Sequence, residues 1–287
     1  EVLRSGDAVE GALKQKDKIR LLISDNPREE ADRIVERIQS YDGSLHNICI
    51  VAQSSYRLYP IREMLKSDDI SFVFVPDFRS RNVESKYATI FESLSQLAAE
   101  ATSSGRLVTQ VRRICKDHDE DWQDDEILQV IVNLAGKYDY EFGSSKLKDK
   151  AREFINDIML EINWGDLLRR NVRDKIFLST IHGVKGLQFK QMHVCGLVNF
   201  EHIHRDICWP CKWGRNRRDL VEDLKEPLRT FYVAITRTQN QLFLYATRKN
   251  YRNKQRNPIC LLKPLLPFLQ VEGLHQNEVI SRLLCGS

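Results

Sequence analysis

Two stretches of this chain carry side chains that could handle phosphate. Phe177 to Phe189 reads Phe-Leu-Ser-Thr-Ile-His-Gly-Val-Lys-Gly-Leu-Gln-Phe, an apolar run followed by a polar turn that holds Thr180, His182 and Lys185 and is closed by Gly186. His182 and Lys185 are three positions apart, so one helical turn aims both the same way, as a phosphate-facing pair requires. Gly186 removes the side chain where the backbone must pass close to a ligand. Such a turn could serve a phosphate chain or a nucleic-acid backbone, and an ordinary strand and turn with solvated polar residues would read the same way. Glu226 to Arg237 reads Glu-Pro-Leu-Arg-Thr-Phe-Tyr-Val-Ala-Ile-Thr-Arg and sets Arg237 just past an apolar run. A guanidinium is permanently charged and forked, suited to a phosphoryl group on which negative charge shifts. Its commonplace use is to pair with a local carboxylate.

These residues need strands and helices to hold them. Lys18 to Ser24 reads as a strand, Asp25 or Asn26 as a helix cap, and Pro27 as a first-turn residue. Ala31, Ile34, Val35 and Ile38 then repeat at helical spacing, the buried stripe of an amphipathic helix on a sheet. Ile48 to Ala52 is a continuous apolar strand of the buried parallel kind, followed by the turn Gln53-Ser54-Ser55, a helix over Leu58 to Lys66 and a strand over Ile70 to Val75. Strand, helix, strand, helix, strand is a doubly wound unit. From about Phe78 to Arg170 helices replace strands: Val83 to Ala101, Arg106 to Cys115, Trp122 to Ala135 and Lys146 to Ile162, with apolar stripes that belong to a core. Strands resume over Lys175 to Thr180 and Gln191 to Leu197, then a helix over Leu220 to Tyr232 and a strand over Gln241 to Ala246. The strand that stops at Thr180 places the following turn at the carboxyl edge of the sheet, where open α/β folds gather ligands. The tail from Pro258 reads as a packed irregular segment with a short final helix.

The 287 residues, 42% of them hydrophobic, suffice for one large domain or two modest ones. No run of eighteen apolar residues and no signal-peptide pattern occurs, which points to a cytoplasmic protein with no membrane partner; the absence of an initiator Met suggests a fragment. The net charge of +4 does not by itself announce a nucleic-acid binder. Lys212, Arg215, Arg217 and Arg218 form one basic cluster, and Arg248, Lys249, Arg252, Lys254 and Arg256 another; an acidic run from Asp117 to Glu126 opposes them. The seven cysteines are odd in number and widely spread, as reduced thiols are. His202, His204, Cys208 and Cys211 could hold a tetrahedral zinc, but the pairs crowd each other and no second CxxC follows. A loop packed by Trp209 and Trp213 is the preferred reading, with no metal site assigned.

The Phe177–Phe189 and Glu226–Arg237 stretches, in this order and about fifty residues apart, together resemble the last two signature motifs of the UvrD/Rep/PcrA-like superfamily 1 DNA helicases. The resemblance implies an α/β fold: a RecA-like, parallel-sheet domain of the P-loop NTPase type, without its own P-loop, carrying an inserted all-helical subdomain. The implied boundaries are 1–78 and 171–287 for the two parts of the RecA-like domain and 79–170 for the helical insert, shorter than is usual in the family. It implies that Arg237 acts as the catalytic arginine finger on the γ-phosphate of ATP, and that Gly186, Gln188 and Arg237 belong to the nucleotide site. Gln188 stands where the family usually has Glu beside the ribose. Thr180, His182, Lys185 and Ser54 are implied contacts to single-stranded DNA, while Glu226 and Arg229 match charged positions that brace the helix. The family often has Arg where Gln53 stands.

GxxxxGK[ST], a strand ending in an Asp-Glu pair and the family's Tyr-Arg-Ser motif are absent. ATP and Mg2+ would therefore be held mainly by an N-terminal RecA-like half of the same protein, and this chain alone is expected to be inactive as an ATPase. The implied function is the C-terminal part of an ATP-dependent 3′-to-5′ DNA helicase or translocase, with single-stranded and duplex DNA as partners. Two other readings stand beside it: a non-enzymatic helicase-like module that docks nucleic acid or protein, and an RNA polymerase or RNA-remodelling motor of the same fold.

Overall fold

The structure is a computed structural model and describes residues 19–75, 85–101, 105–143, 145–161, 164–198 and 217–273. Two compact units emerge. One combines residues 1–74 with 174–287, and the other is 75–173.

Among the described residues the first unit is built on seven strands: β1 (Ile19–Ser24), β2 (Ile48–Ala52), β3 (Phe72–Phe74), β4 (Ile176–Thr180), β5 (Phe189–Val194), β6 (Thr238–Thr247) and β7 (Gln270–Gly273). Their order is β3-β4-β2-β5-β6-β1-β7, every pair parallel. A parallel sheet must be covered on both faces, and β2 is accordingly apolar at all its positions and fully buried. Helix α1 (Pro27–Gln39) starts where the Asn26 side chain accepts from the amides of Arg28 and Glu29, a cap worth about 1 kcal/mol. It buries Ala31, Ile34, Val35 and Ile38 against Ile48, Ile50, Leu178, Phe243 and Tyr245, together with helix α2 (Tyr59–Ser67). Each such large aliphatic side chain contributes roughly 1.5–3 kcal/mol. Side chains alternate along a strand, so Phe177 and Ser179 point to the opposite face from Leu178.

The tail departs from expectation. A 3-10 run over Cys260–Phe268 leads into β7, which pairs with the edge of β1. Gln270-Val271-Glu272-Gly273 has no apolar run to announce a strand; Glu272 anchors it by accepting from Arg20 at 3.2 Å and Arg37 at 2.5 Å. The short final helix expected beyond it lies outside the described residues.

The second unit is helical: α3 (Ser85–Glu100), α4 (Leu107–His118), α5 (Glu126–Glu141), α6 (Leu147–Asn156) and α7 (Trp164–Asn171). The helix read from Trp122 in fact begins at Glu126, because Trp122 occupies a 3-10 turn and the Asp125 carboxylate caps Ile127 and Leu128. Asp125 also accepts from Tyr87 on α3, so one member of the acidic run is a structural cap. Asp139 on α5 accepts from the amides of Leu107 and Val108, at 2.9 Å each, and from Lys150. Burial pushes the Asp139 carboxyl up, but these two amides and the Lys150 ammonium outweigh it and leave its pKa lowered. Helix α7 was not foreseen; the helix expected over Lys146 to Ile162 covers only its predecessor α6 and the turn after it. A π-helical turn over Asp157–Glu161 stands between α6 and α7, and the Trp164 indole donates to the Ile158 carbonyl at 3.0 Å.

Candidate functional site

The segment Ile181–Gln188 joins the carboxyl end of β4 to the amino end of β5: it opens with the turn expected at the carboxyl edge and then, as the sequence did not suggest, returns as a strap along the sheet. Thr180 lies level with Ala52, whereas Ile48 lies level with Gln191, so Phe189 starts its strand at the other end of the sheet. Thr180 and Phe189 are thus about 20 Å apart along the strand direction, at ~3.3 Å per residue. The physical reason is that β4 and β5 are parallel with β2 between them, so the connection must return the length of the sheet.

At the carboxyl end the Ile181 amide donates to the Ala52 carbonyl at 3.0 Å. His182–Val184 then forms a 3-10 turn, closed by the Lys185 amide onto the His182 carbonyl, and both His182 and Lys185 are exposed. Gly186 takes φ +87°, a left-handed conformation that releases the chain into its extended return. The turn presses on Ser179: a Cβ at Gly183 would stand 2.3 Å from the Ser179 hydroxyl. The hydroxyls of Ser179 and Thr180 and the side-chain carbonyl of Gln53 are buried without hydrogen-bond partners at this end of β2 and β4. Ser54 follows β2 on the same edge and starts a 3-10 turn without using its hydroxyl as a cap.

At the amino end the two stretches meet. The Phe189 amide donates to the Arg237 carbonyl at 2.8 Å, and Phe189 pairs with Thr238. Helix α8 (Arg217–Ile235), with Pro227 inside it and Glu226 and Arg229 exposed, touches the strap turn and β5 and ends just before Arg237. The half-buried Arg237 folds back on the helix end, its Nε donating to the Val233 carbonyl and Nη2 to the Thr236 hydroxyl, both at 3.3 Å. A cation is favoured there by the negative end of the helix dipole. Gln188 is exposed beside it and accepts from the Gln239 side-chain amide at 2.9 Å. Arg237 and Gln188 therefore do not share an end with Thr180, His182 and Ser54; the strap, which leaves the turn at Gly186, joins the two groups.

A second feature of the carboxyl edge joins part of the second basic cluster to tyrosines that the sequence did not single out. Tyr56 and Tyr59 follow β2, Tyr251 follows β6, and with Arg252, Lys254 and Arg256 they line a groove of ≈ 660 Å³. These tyrosines are 55%, 62% and 46% exposed and are grouped at one edge instead of scattered, which is what marks an interaction surface. The Tyr56 and Tyr251 rings are 5.6 Å apart. Arg57 beneath them is buried, donates to Thr247 at 3.2 Å, lies 3.5 Å from the buried Glu30 and sits 5.4 Å from the Tyr251 ring centroid. Gly196, at φ +67°, leaves room for it: a Cβ there would stand 2.6 Å from Arg57 Nε. The available signal was tyrosine among basic residues directly after two parallel strands. Of the first basic cluster, Lys212 and Arg215 lie outside the described residues, as do His202, His204, Cys208 and Cys211. Among the described residues no group of three or more His, Cys, Asp or Glu side chains could hold a metal ion, and no helix is long and apolar enough to cross a membrane.

The end of β1 is not built as a phosphate cradle. Ser24-Asp25-Asn26-Pro27 is no glycine-rich loop, and Asn26 already occupies the first amides of α1. The Glu29 carboxylate takes the Asp25 amide. This end does not fit a triphosphate.

A parallel sheet covered by helices, interrupted by a helical unit and crossed by this strap, defines an α/β domain of the RecA-like kind. The profile of the UvrD-like helicase C-terminal domain matches residues 79–249, and the chain belongs to that family. The match begins after β3, although β1, β2 and β3 complete the same sheet. The chain is similar to a probable DNA helicase II homolog of Mycoplasma genitalium, 34% identical over 118 residues, 41% of this chain and 15% of that protein. It is similar to a probable DNA helicase of Mycoplasma pneumoniae, 26% identical over 240 residues, 76% of this chain and 41% of that protein. A putative ATP-dependent DNA helicase YjcD of Bacillus subtilis is 32% identical over 133 residues, 44% of this chain and 17% of that protein. The chain thus spans well under half the length of each of these relatives.

Proposed function

We propose that this chain is the C-terminal RecA-like half, with its 2B-like helical insert, of an ATP-dependent DNA helicase that moves 3′ to 5′ on single-stranded DNA. The carrying observation is the hydrogen bond from the Phe189 amide to the Arg237 carbonyl, which brings Gln188 and Arg237 to one place. In this reading Arg237 is the arginine finger: it swings from the end of α8 to the γ-phosphate of an ATP held, with Mg2+, mainly by the N-terminal half. Bound ATP supplies the phosphoryl group whose hydrolysis drives closure of the two halves. Gln188 meets the ribose, and Gly186 lets the strap pass close to the nucleotide. His182, Lys185 and Ser54 contact the DNA backbone, giving affinity without base specificity, and Thr180 joins them only if the turn over its buried hydroxyl shifts on binding. Alone, the chain has no ATPase activity.

The groove of tyrosines and basic residues supports nucleic acid as the partner, because aromatic faces stack bases while cations track phosphates. The cytoplasmic location belongs to the same reading. The test is strand displacement by the full-length protein on duplexes with 3′ or 5′ single-stranded tails, in DNA and in RNA. ATP-dependent opening of the 3′-tailed DNA duplex is expected. Opening only of RNA would move the protein to RNA remodelling, and no ATP turnover with intact DNA binding would make it a docking module.

A further inference from the structure

We propose that Gln239 is a positioning residue that orients the Gln188 side-chain amide for the nucleotide, an inference that rests on the ribose contact proposed for Gln188. The observation behind it is an irregularity in the sheet. Phe189 lies opposite Thr238, yet Gln191 lies opposite Gln241, so β6 carries one residue more than β5 over this interval. A bulge of this kind breaks the alternation of side chains and re-aims those within it. It is closed by its own sequence: the Thr238 hydroxyl donates to the Gln241 carbonyl at 2.9 Å.

The residue thereby re-aimed is Gln239. Its Nε2 donates to Gln188 Oε1 at 2.9 Å, across from the Phe189–Arg237 main-chain bond that fixes the frame of both strands. An amide group has one acceptor end and one donor end, set apart by the planar geometry of the group. With the oxygen held by Gln239, the Nε2 end of Gln188 is turned the other way, as a donor. A donor suits the oxygen of a sugar hydroxyl. Both partners are uncharged, so the contact adds hydrogen-bonding geometry beside Arg237 without adding a negative charge that would compete for the guanidinium. Gln239 touches no nucleotide in this arrangement; its effect passes through Gln188.

The test uses steady-state ATP hydrolysis by the full-length protein on saturating single-stranded DNA, with Gln188→Met, Gln239→Met and the double variant. Methionine keeps length and removes the amide. Loss of one such hydrogen bond corresponds to a change of about 3- to 10-fold. Gln188→Met is expected to raise KM for ATP by about tenfold and Gln239→Met by about threefold, with kcat within about twofold in both, the signature of lost ground-state binding. Gln239→Met should add nothing in the Gln188→Met background. An unchanged KM in Gln188→Met would reject the ribose contact and this inference with it. A raised KM in Gln188→Met with no effect of Gln239→Met, or with independent multiplying effects, would overturn the positioning role alone.

Discussion

The main-chain amide of Phe189 donates to the carbonyl of Arg237 at 2.8 Å, joining two stretches that are far apart in the chain. Through this bond the strap that leaves Thr180 at the carboxyl edge of the sheet ends beside the guanidinium at the amino edge. A nucleic-acid contact at one end and a nucleotide contact at the other would thus share one covalent segment.

The strap depends on Gly183. A Cβ there would stand 2.3 Å from the Ser179 hydroxyl, and overpacking of this kind costs about 1–3 kcal/mol. Gly183→Ala is expected to weaken single-stranded DNA binding by about tenfold through displacement of His182 and Lys185. Ser179→Ala should restore it in the double variant, because the hydroxyl it removes has no hydrogen-bond partner. Fluorescence anisotropy on a labelled oligonucleotide reads both, and absence of rescue would show that the turn is not held by this contact.

The tyrosine groove makes a separate prediction. Tyr56→Ala or Tyr251→Ala should each weaken single-stranded DNA binding about tenfold, since stacking on an aromatic ring contributes roughly 1–3 kcal/mol per base. Lys254→Ala should instead lower the salt dependence of binding, measured as the slope of log Kd against log salt. Unaltered affinity in both tyrosine variants would remove the groove from the nucleic-acid path.

His193 gives the first unit a defined response to acid. It is fully buried, stacked on Phe243, with Nδ1 2.8 Å from the Tyr245 hydroxyl and Nε2 3.0 Å from the Gln191 amide. Burial, with a smaller effect from Arg37, pushes its pKa from 6.5 down to about 3. Between these values the unfolded chain binds a proton that the folded chain does not, so stability is full above pH 6.5 and falls as the pH drops toward 3. Between pH 6.5 and 5 this amounts to about 2 kcal/mol. Urea midpoints at pH 7.5 and 5 should diverge in the native protein and less in His193→Gln; equal divergence would assign the acid response elsewhere.

The helical unit is expected to hinge on Asp139. Asp139→Ala leaves two helix amides without their acceptor and the buried Lys150 with only the Gly143 carbonyl, and breaking a buried pair from one side costs about 3–5 kcal/mol. Lys150→Met should cost less, because Asp139 keeps both amides. Thermal unfolding followed by circular dichroism compares them, and equal losses would contradict the capping role.

What could be read in advance follows a physical divide. β1, β2, β4 and α1 were legible because continuous apolar runs and the 31-34-35-38 stripe are local signals of burial. β7 was not, since Gln270–Gly273 becomes a strand only by pairing with the edge of β1. The residue types of the candidate site were equally plain, whereas its division between two edges was hidden, because it depends on β2 lying between β4 and β5. Tyr56 and Tyr251 meet for the same reason: their strands end at one edge, and no local pattern records that convergence.

The most direct test is ATP hydrolysis by the full-length protein carrying Arg237→Ala, measured with and without single-stranded DNA. Removal of one preorganised donor to a developing charge typically lowers kcat by about 10²–10³. A loss of that size, with single-stranded DNA affinity within about twofold of the native protein, is the predicted result. Turnover at the native rate would contradict the placing of Arg237 at the phosphoryl group.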